Sequence, residues 1–152
     1  MKLTPRENTD FRRLLQGWSD TRSALQMQQY IQHGRVTTYE HCLSVARISF
    51  WLNRRLHLGA NEKSLVRGAF LHDFYLYDWH QRRSASRWHG FRHPAIALRN
   101  ASASYSLDER EKNIIVSHMW PLTLTRPPHC REAALVCLAD KGCSLHETLF
   151  RR

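Results

Sequence analysis

Residues 61–73 read NEKSLVRGAFLHD, a predicted helix that ends in a histidine and an aspartate. Asn61 is a favourable N-cap residue, and Leu65 and His72 lie seven positions apart, which places them on one helical face. His72 is therefore expected on the buried face near the C-terminal end of the helix, next to Asp73. A buried, ionised carboxylate is costly unless a positive group pairs with it. The pair is thus a candidate part of a metal site.

Helical patterns also dominate the rest of the chain, and strand patterns are scarce. Caps, breakers and periodicity predict helices in seven places. These are Phe11 to Trp18; Ala24 to Ile31, stopped by His33-Gly34; the capping box Thr37 to Glu40 as far as Gly59; Asn61 to His72; His93-Pro94, with the proline at the first helical position, to Ala101; the capping box Ser106 to Glu109 as far as Pro121; and Pro128 to a cap at Gly142. The tail from Leu145 to Arg152 is a candidate for a further short helix. The sequence therefore predicts an all-α, single-domain bundle of about six or seven helices over residues 1–152.

Six side chains with metal-ligating groups occur in this pattern, each near a predicted helix end or on an inward helical face. They are His41, His72, Asp73, His93, His118 and Asp140. A single histidine on an apolar face is more often a hydrogen-bonded core residue. Burying four imidazoles and two carboxylates in one core without a metal, however, would leave many polar atoms in need of partners. This donor set suits divalent Fe, Mn, Zn, Co or Ni.

The order H…HD…H…H…D resembles that of the HD-domain superfamily of metal-dependent phosphohydrolases, specifically its binuclear members, over about residues 30–145. The resemblance implies an HD-type helical domain with two divalent ions. In that family the first histidine, the HD histidine and the final aspartate hold one ion, the two intervening histidines hold the other, and the HD aspartate bridges them. Carried over to this chain, the resemblance implies that His41, His72 and Asp140 hold one ion. It also implies that His93 and His118 hold the other and that Asp73 bridges the two.

The same resemblance implies hydrolysis of a small anionic phosphate ester, with nucleotide-like substrates among the candidates. A hydroxide activated between two ions would be the nucleophile, since paired metals lower the pKa of a shared water and clamp phosphoryl oxygens. Several nearby side chains are expected to orient substrate or protonate the leaving group. Asp78 and His89 are the catalytic candidates beside Asp73, and Tyr77, His80 and Arg92 are the substrate-binding candidates.

Two features depart from common family patterns. Many members have a glycine and a lysine after the HD pair, whereas Phe74-Tyr75-Leu76-Tyr77 follows here, so no equivalent lysine is present. Cyclic-dinucleotide phosphodiesterases of the HD-GYP branch carry two adjacent histidines where this chain has His118-Met119. A third metal and a cyclic-dinucleotide substrate are therefore not expected. His89 competes with His93 for one ligand position, and we favour His93 because the family's ligand often precedes a proline.

Two other functions remain open. The same ligand order is similar to that of mixed-valent di-iron HD oxygenases, and sequence does not separate iron from manganese. The formal net charge of +10 and a pI near 10.1 also suit a basic nucleic-acid-binding or regulatory module with a vestigial site. The local basic cluster is Arg82, Arg83, Arg87 and Arg92, interleaved with Trp88 and Phe91. A solvated basic loop explains this cluster equally well.

Composition favours a cytoplasmic protein. The longest apolar run, Ala133 to Ala139, is far shorter than the ~20 residues that a transmembrane helix needs. The charged N-terminus does not resemble a secretory signal. The four cysteines lie inside amphipathic patterns without zinc-knuckle spacing, so reduced thiols are expected. No feature of the sequence indicates an oligomeric state.

Overall fold

The computed structural model describes residues 2–80 and 88–150, and these residues form seven α-helices and one short β-hairpin. In chain order the elements are α1 (Pro5–Leu15), α2 (Arg22–Gln26), a 3-10 turn (Met27–Gln29), β1 (Ile31–His33), β2 (Val36–Thr37), α3 (Thr38–Arg55), α4 (Glu62–Leu71), α5 (His89–Ser104), α6 (Glu109–Ser117) and α7 (Arg131–Phe150). The predicted all-α class is confirmed. No described helix combines the length and the apolar composition that crossing a bilayer would take.

Four helices enclose the core. α3 packs against α4 and α7, both of these contact α6, and α5 packs on α6. Fully buried side chains such as Phe50, Phe70 and Ile114 fill the space between them. Two predicted helix starts are confirmed: Thr37 and Glu40 form a reciprocal capping box at α3, and the Asn61 side chain accepts from the Ser64 N–H at α4.

The N-terminal third differs from its predicted boundaries. α1 begins at Pro5, after a capping box between Thr4 and Glu7, and ends before Trp18. The single helix predicted at Ala24 to Ile31 is wrong, because the chain passes from α2 through a 3-10 turn into β1. Gly34, with φ of 57°, makes the turn into β2. α3 also ends earlier than predicted, at Arg55 rather than Gly59.

The starts of α5 and α6 are also corrected. α5 begins at His89, so Pro94 lies inside the helix rather than at its first position. Because the helix starts earlier, His89 lies one turn before His93, and the two rings stack with centroids 4.7 Å apart. Pro94 has no backbone N–H, so the helix lacks one hydrogen bond at that position. The capping box of α6 joins Asp108 and Glu111, not Ser106 and Glu109.

The last helix does not stop at Gly142. α7 continues to Phe150, so the separate helix predicted from Leu145 is wrong, and Arg151 and Arg152 lie outside the described residues. Side chains beyond the glycine remain buried, including Cys143 at 4% and Glu147 at 3% exposure. Their packing outweighs the roughly 1 kcal/mol that glycine costs inside a helix.

Candidate metal centre

The six candidate ligands converge in the middle of the fold, and each has at most 7% exposed surface. They come from the first turn of α3 (His41), the C-cap of α4 and the next residue (His72 and Asp73), α5 (His93), the C-cap of α6 (His118) and α7 (Asp140). Five separate segments therefore deliver imidazole and carboxylate groups to one buried location.

One group of ligand atoms forms between α3, α4 and α7. The Nε2 atom of His41 lies 3.0 Å from Oδ1 of Asp140. The Nε2 atom of His72 lies 3.6 Å from the same oxygen. These three residues each present one ligand atom within 4.8 Å of the others. They are placed to hold a metal ion together.

A second group forms between α5 and α6, with Asp73 between the two groups. Oδ1 of Asp73 is 3.1 Å from His93 Nε2 and 3.4 Å from His118 Nε2. Its other oxygen, Oδ2, is 3.4 Å from His72 Nε2 and 3.9 Å from His41 Nε2. Asp73 therefore presents a different oxygen to each group. His72, Asp73 and His118 also place one ligand atom each within 4.8 Å of one another.

Backbone carbonyls fix the orientation of three of the histidine rings. Nδ1 of His72 lies 2.7 Å from the carbonyl oxygen of Ala69, and Nδ1 of His93 lies 2.9 Å from that of His89. Nδ1 of His118 lies 2.8 Å from the carbonyl oxygen of Ile115. A carbonyl only accepts, so each Nδ1 carries a hydrogen, and in the neutral ring Nε2 is the nitrogen left to bind a metal. This is the outer-shell arrangement that metal-ligating histidines generally show.

The nitrogen and oxygen atoms that lack a hydrogen-bond partner in this pocket fit a bound cation. Within residues 2–80 and 88–150, His72 Nε2 and Asp73 Oδ1 have no hydrogen-bond partner. The Nε2 atoms of His93 and His118 lie 2.8 Å apart, and two facing lone pairs repel unless a proton or a cation lies between them. Neighbouring ligands about 2.1 Å from one ion lie roughly 3 Å apart. The donor set and its spacing therefore suit divalent metal.

Electrostatics keep both aspartates ionised. Burial alone would raise their pKa values, but His72 and His93 hold the pKa of Asp73 well below its usual range. The hydrogen bond from His41 and the nearby His72 do the same for the pKa of Asp140. Burial would lower the pKa of His41, yet its hydrogen bonds to Asp140 and Glu147 raise it to about 10. A metal on this imidazole would therefore displace a proton at neutral pH.

Two residues that hydrogen-bond to the candidate ligands were not identified from the sequence. Oε2 of Glu147 lies 2.8 Å from Nδ1 of His41, and Nε2 of Gln32 donates to Oδ2 of Asp73 at 2.6 Å. Glu147 follows Asp140 by seven residues, two turns along α7, so helical spacing could have found it. Gln32 lies on the three-residue strand β1 and left no periodic signal.

Replacing Glu147 with alanine should weaken metal binding about 10- to 100-fold, because the His41 ring loses the carboxylate that fixes its tautomer. Glu147→Gln should weaken it less, since the amide oxygen still accepts from Nδ1. Metal titration of stripped protein with a competing chelator measures both. Glu109→Ala is the matched control, because Glu109 lies at the exposed start of α6. Equal affinities in all variants would contradict the orienting role.

A cavity of about 810 Å³ opens beside the ligands. His89 lines it, and the Tyr77 hydroxyl lies 2.7 Å from His89 Nδ1. The remaining predicted catalytic and substrate-binding residues are not among the described residues that line this cavity. They are Tyr77, Asp78, His80 and Arg92. The predicted basic cluster falls largely on Arg82, Arg83 and Arg87, which lie outside the described residues.

His93, not His89, approaches Asp73 and His118. His89 instead stacks on His93 and contacts Tyr77. Lys141 also lines the cavity, which the sequence analysis did not anticipate, and its Nζ donates to the carbonyl of His118 at 3.2 Å. α7 thus places the ammonium group of Lys141 beside the cavity, although no lysine directly follows His72-Asp73.

Comparison with known proteins agrees with this geometry. The HD domain family matches residues 38–142, a span that includes all six candidate ligands. No curated protein and no solved structure shows a significant match to the chain. The family match covers well over half of the sequence, and its members in general bind divalent metals and hydrolyse phosphate compounds. The chain belongs to the HD-domain family.

Proposed function

We propose that the protein is a phosphohydrolase that cleaves phosphate esters at a centre of two divalent ions. The observation that supports this most directly is the position of Asp73, whose two oxygens face different groups of ligands. In the proposed centre His41, His72 and Asp140 would hold one ion, His93 and His118 would hold the other, and Asp73 would offer one carboxylate oxygen to each.

The protein's own groups prepare this centre for an anion. Divalent ions bound there would lower the pKa of a shared water and stabilise charge on a phosphoryl group. Asp73 and Asp140 are the only two ligands of the set that carry negative charge, so they would leave part of the ionic charge uncompensated. An anionic substrate group is therefore attracted to the pocket. Burial of all six candidate ligands lowers the local dielectric constant and so strengthens this attraction.

His89 is suited to orienting substrate. Burial, reinforced by the neighbouring His93, lowers the pKa of His89 to about 4, so its imidazole is neutral at pH 7. The Tyr77 hydroxyl lies 2.7 Å from His89 Nδ1. With Tyr77 as the donor, Nε2 carries the hydrogen and is left to bond a ligand in the cavity that His89 lines. We assign His89 to hydrogen bonding with substrate oxygen, supported by Tyr77. The roles predicted for Asp78, His80 and Arg92 stay predictions.

Metal-loaded protein tests the proposal. Protein stripped with a chelator and reloaded with Mn²⁺, Fe²⁺, Zn²⁺, Co²⁺ or Ni²⁺ should release phosphate from a panel of phosphomonoesters, phosphodiesters and nucleotides. Release should continue without oxygen and stop when chelator is restored. No hydrolysis with any metal would overturn the proposal. Oxygen consumption by iron-loaded protein, without phosphate release, would instead favour the oxygenase alternative.

A further inference from the structure

Among the described residues, the wall of the cavity beyond the ligands is largely apolar. Its apolar lining consists of Trp79, Met119, Pro121, Leu122 and Leu145. Met119 directly follows the ligand His118, and Leu145 lies five residues beyond Asp140 on α7. The apolar wall therefore begins where the candidate metal centre ends, so one bound molecule can contact both.

A column of stacked rings joins the two regions. The Trp79 indole stacks on His89 with centroids 5.0 Å apart and planes 12° apart. His89 in turn stacks on the ligand His93 at 4.7 Å and 17°. The indole is thus held in a defined orientation at a fixed distance from the centre. The His80 ring also lies against the indole, with centroids 3.9 Å apart. The part of Trp79 that lines the cavity is therefore what can contact an aryl or alkyl group.

Several polar groups of the lining have partners within the protein, whereas the buried Nε1 of Trp79 has none among the described residues. The Gln32 amide donates to Asp73, and the Ser144 hydroxyl donates to Oδ1 of Asp140 at 3.2 Å. Lys141 Nζ donates at 3.2 Å to the carbonyls of His118 and Cys137. A sugar would bring several hydroxyls that need new partners, and leaving them unpaired costs affinity. An apolar group carries no such requirement.

Gly90 brings the apolar wall close to the start of α5. A Cβ atom at this position would lie 3.2 Å from Leu122 Cδ2 and 3.7 Å from Met119 Cε. The absence of a side chain lets Leu122 approach the helix, next to the ring of His89. Leu122 itself remains 49% exposed, so a ligand in the cavity can cover it.

We propose that the cavity selects phosphate monoesters whose organic group is apolar, of aryl or alkyl type, with the phosphoryl group at the metal centre. This inference rests on the proposed function and names its substrate class. The organic group lies against Trp79, Met119 and Leu122. Selectivity arises because apolar surface is removed from water on both partners, roughly in proportion to the area covered.

Binding of two phosphonates tests the inference without turnover. Calorimetry on Mn²⁺-loaded protein should show phenylphosphonate binding at least about tenfold more tightly than methylphosphonate, a ratio that a single buried ring readily supplies. Leu122→Asn should remove most of this preference. Leu124→Asn is the matched control, because Leu124 lies two residues away, is 76% exposed and does not line the cavity. Denaturant unfolding of both variants checks that each is folded.

The outcomes separate the inference from the proposed function. Equal affinity for the two phosphonates, no binding of either, or equal loss in both variants would overturn the inference. Hydrolysis of glycerol phosphate as efficient as that of phenyl phosphate would also overturn it, while the hydrolase proposal would stand. A phenylphosphonate preference that depends on Leu122, in a protein that hydrolyses no ester, would support the inference and contradict the hydrolase.

Discussion

Replacing Asp73 with alanine is expected to remove metal from the protein and to abolish phosphate release. One oxygen of Asp73 lies 3.1 Å from His93 Nε2 and the other lies 3.4 Å from His72 Nε2, so the substitution withdraws a ligand from both groups. It also leaves several imidazoles facing one another without the intervening carboxylate. Because a charged ligand is withdrawn from both groups, we expect metal affinity to fall about a hundredfold or more, which corresponds to about 3 kcal/mol of binding free energy.

Elemental analysis of purified protein measures this effect. We expect two ions per wild-type chain and none in the Asp73→Ala variant. Asp78→Ala is the matched control, because Asp78 lies five residues away and accepts from the backbone N–H of His80 instead. Asp73→Asn preserves side-chain volume and separates loss of charge from loss of packing. Retention of both ions in Asp73→Ala, or loss of one alone, would refute the bridging role.

All six candidate ligands were predicted from the sequence, and local sequence explains the direction of those side chains that a single helix orients. His41 lies four residues before Val45, so the apolar stripe of α3 already indicated that its side chain points inward. His72 and His118 lie at the C-caps of α4 and α6, where each Nδ1 bonds to the carbonyl three residues earlier. The end of a helix supplies such carbonyls without help from other segments. Local sequence therefore determines how these rings point.

The features that could not be predicted depend on contacts between distant segments. Gln32 reaches Asp73 only because a three-residue strand lies beside the end of α4, and strands this short show no usable alternation. Gly142 resembles a helix cap in sequence, yet Glu147 must continue the helix to reach His41, 106 positions away. Tertiary contacts of this kind override local propensity, and no local pattern records them.

The approach of α4 to α6 depends on a glycine one turn before the ligands. A Cβ atom at Gly68 would lie 2.5 Å from Ile114 Cδ1, 3.1 Å from its Cβ and 3.2 Å from its Cγ2. Four residues further along each helix are His72 and His118, whose ring centroids are 4.8 Å apart. Contact between Gly68 and Ile114 therefore sets the helix separation at which the two histidines meet.

Gly68→Ala should destabilise the fold by about 1–3 kcal/mol, as overpacking of a close helix contact generally does. The Ile114 Cδ1 atom can rotate away, but its Cβ is fixed to the backbone, so α6 must move and carry His118 with it.

Gly142→Ala should instead stabilise α7 by up to about 1 kcal/mol, because nothing lies within 4 Å of the added methyl group. Urea unfolding with chelator present compares the two without a contribution from metal binding. Adding Ile114→Val to Gly68→Ala should recover part of the loss, and metal affinity should fall in Gly68→Ala alone of the two alanine variants. If both alanine variants were equally stable and bound metal equally well, close packing of α4 on α6 would not control the position of the ligands.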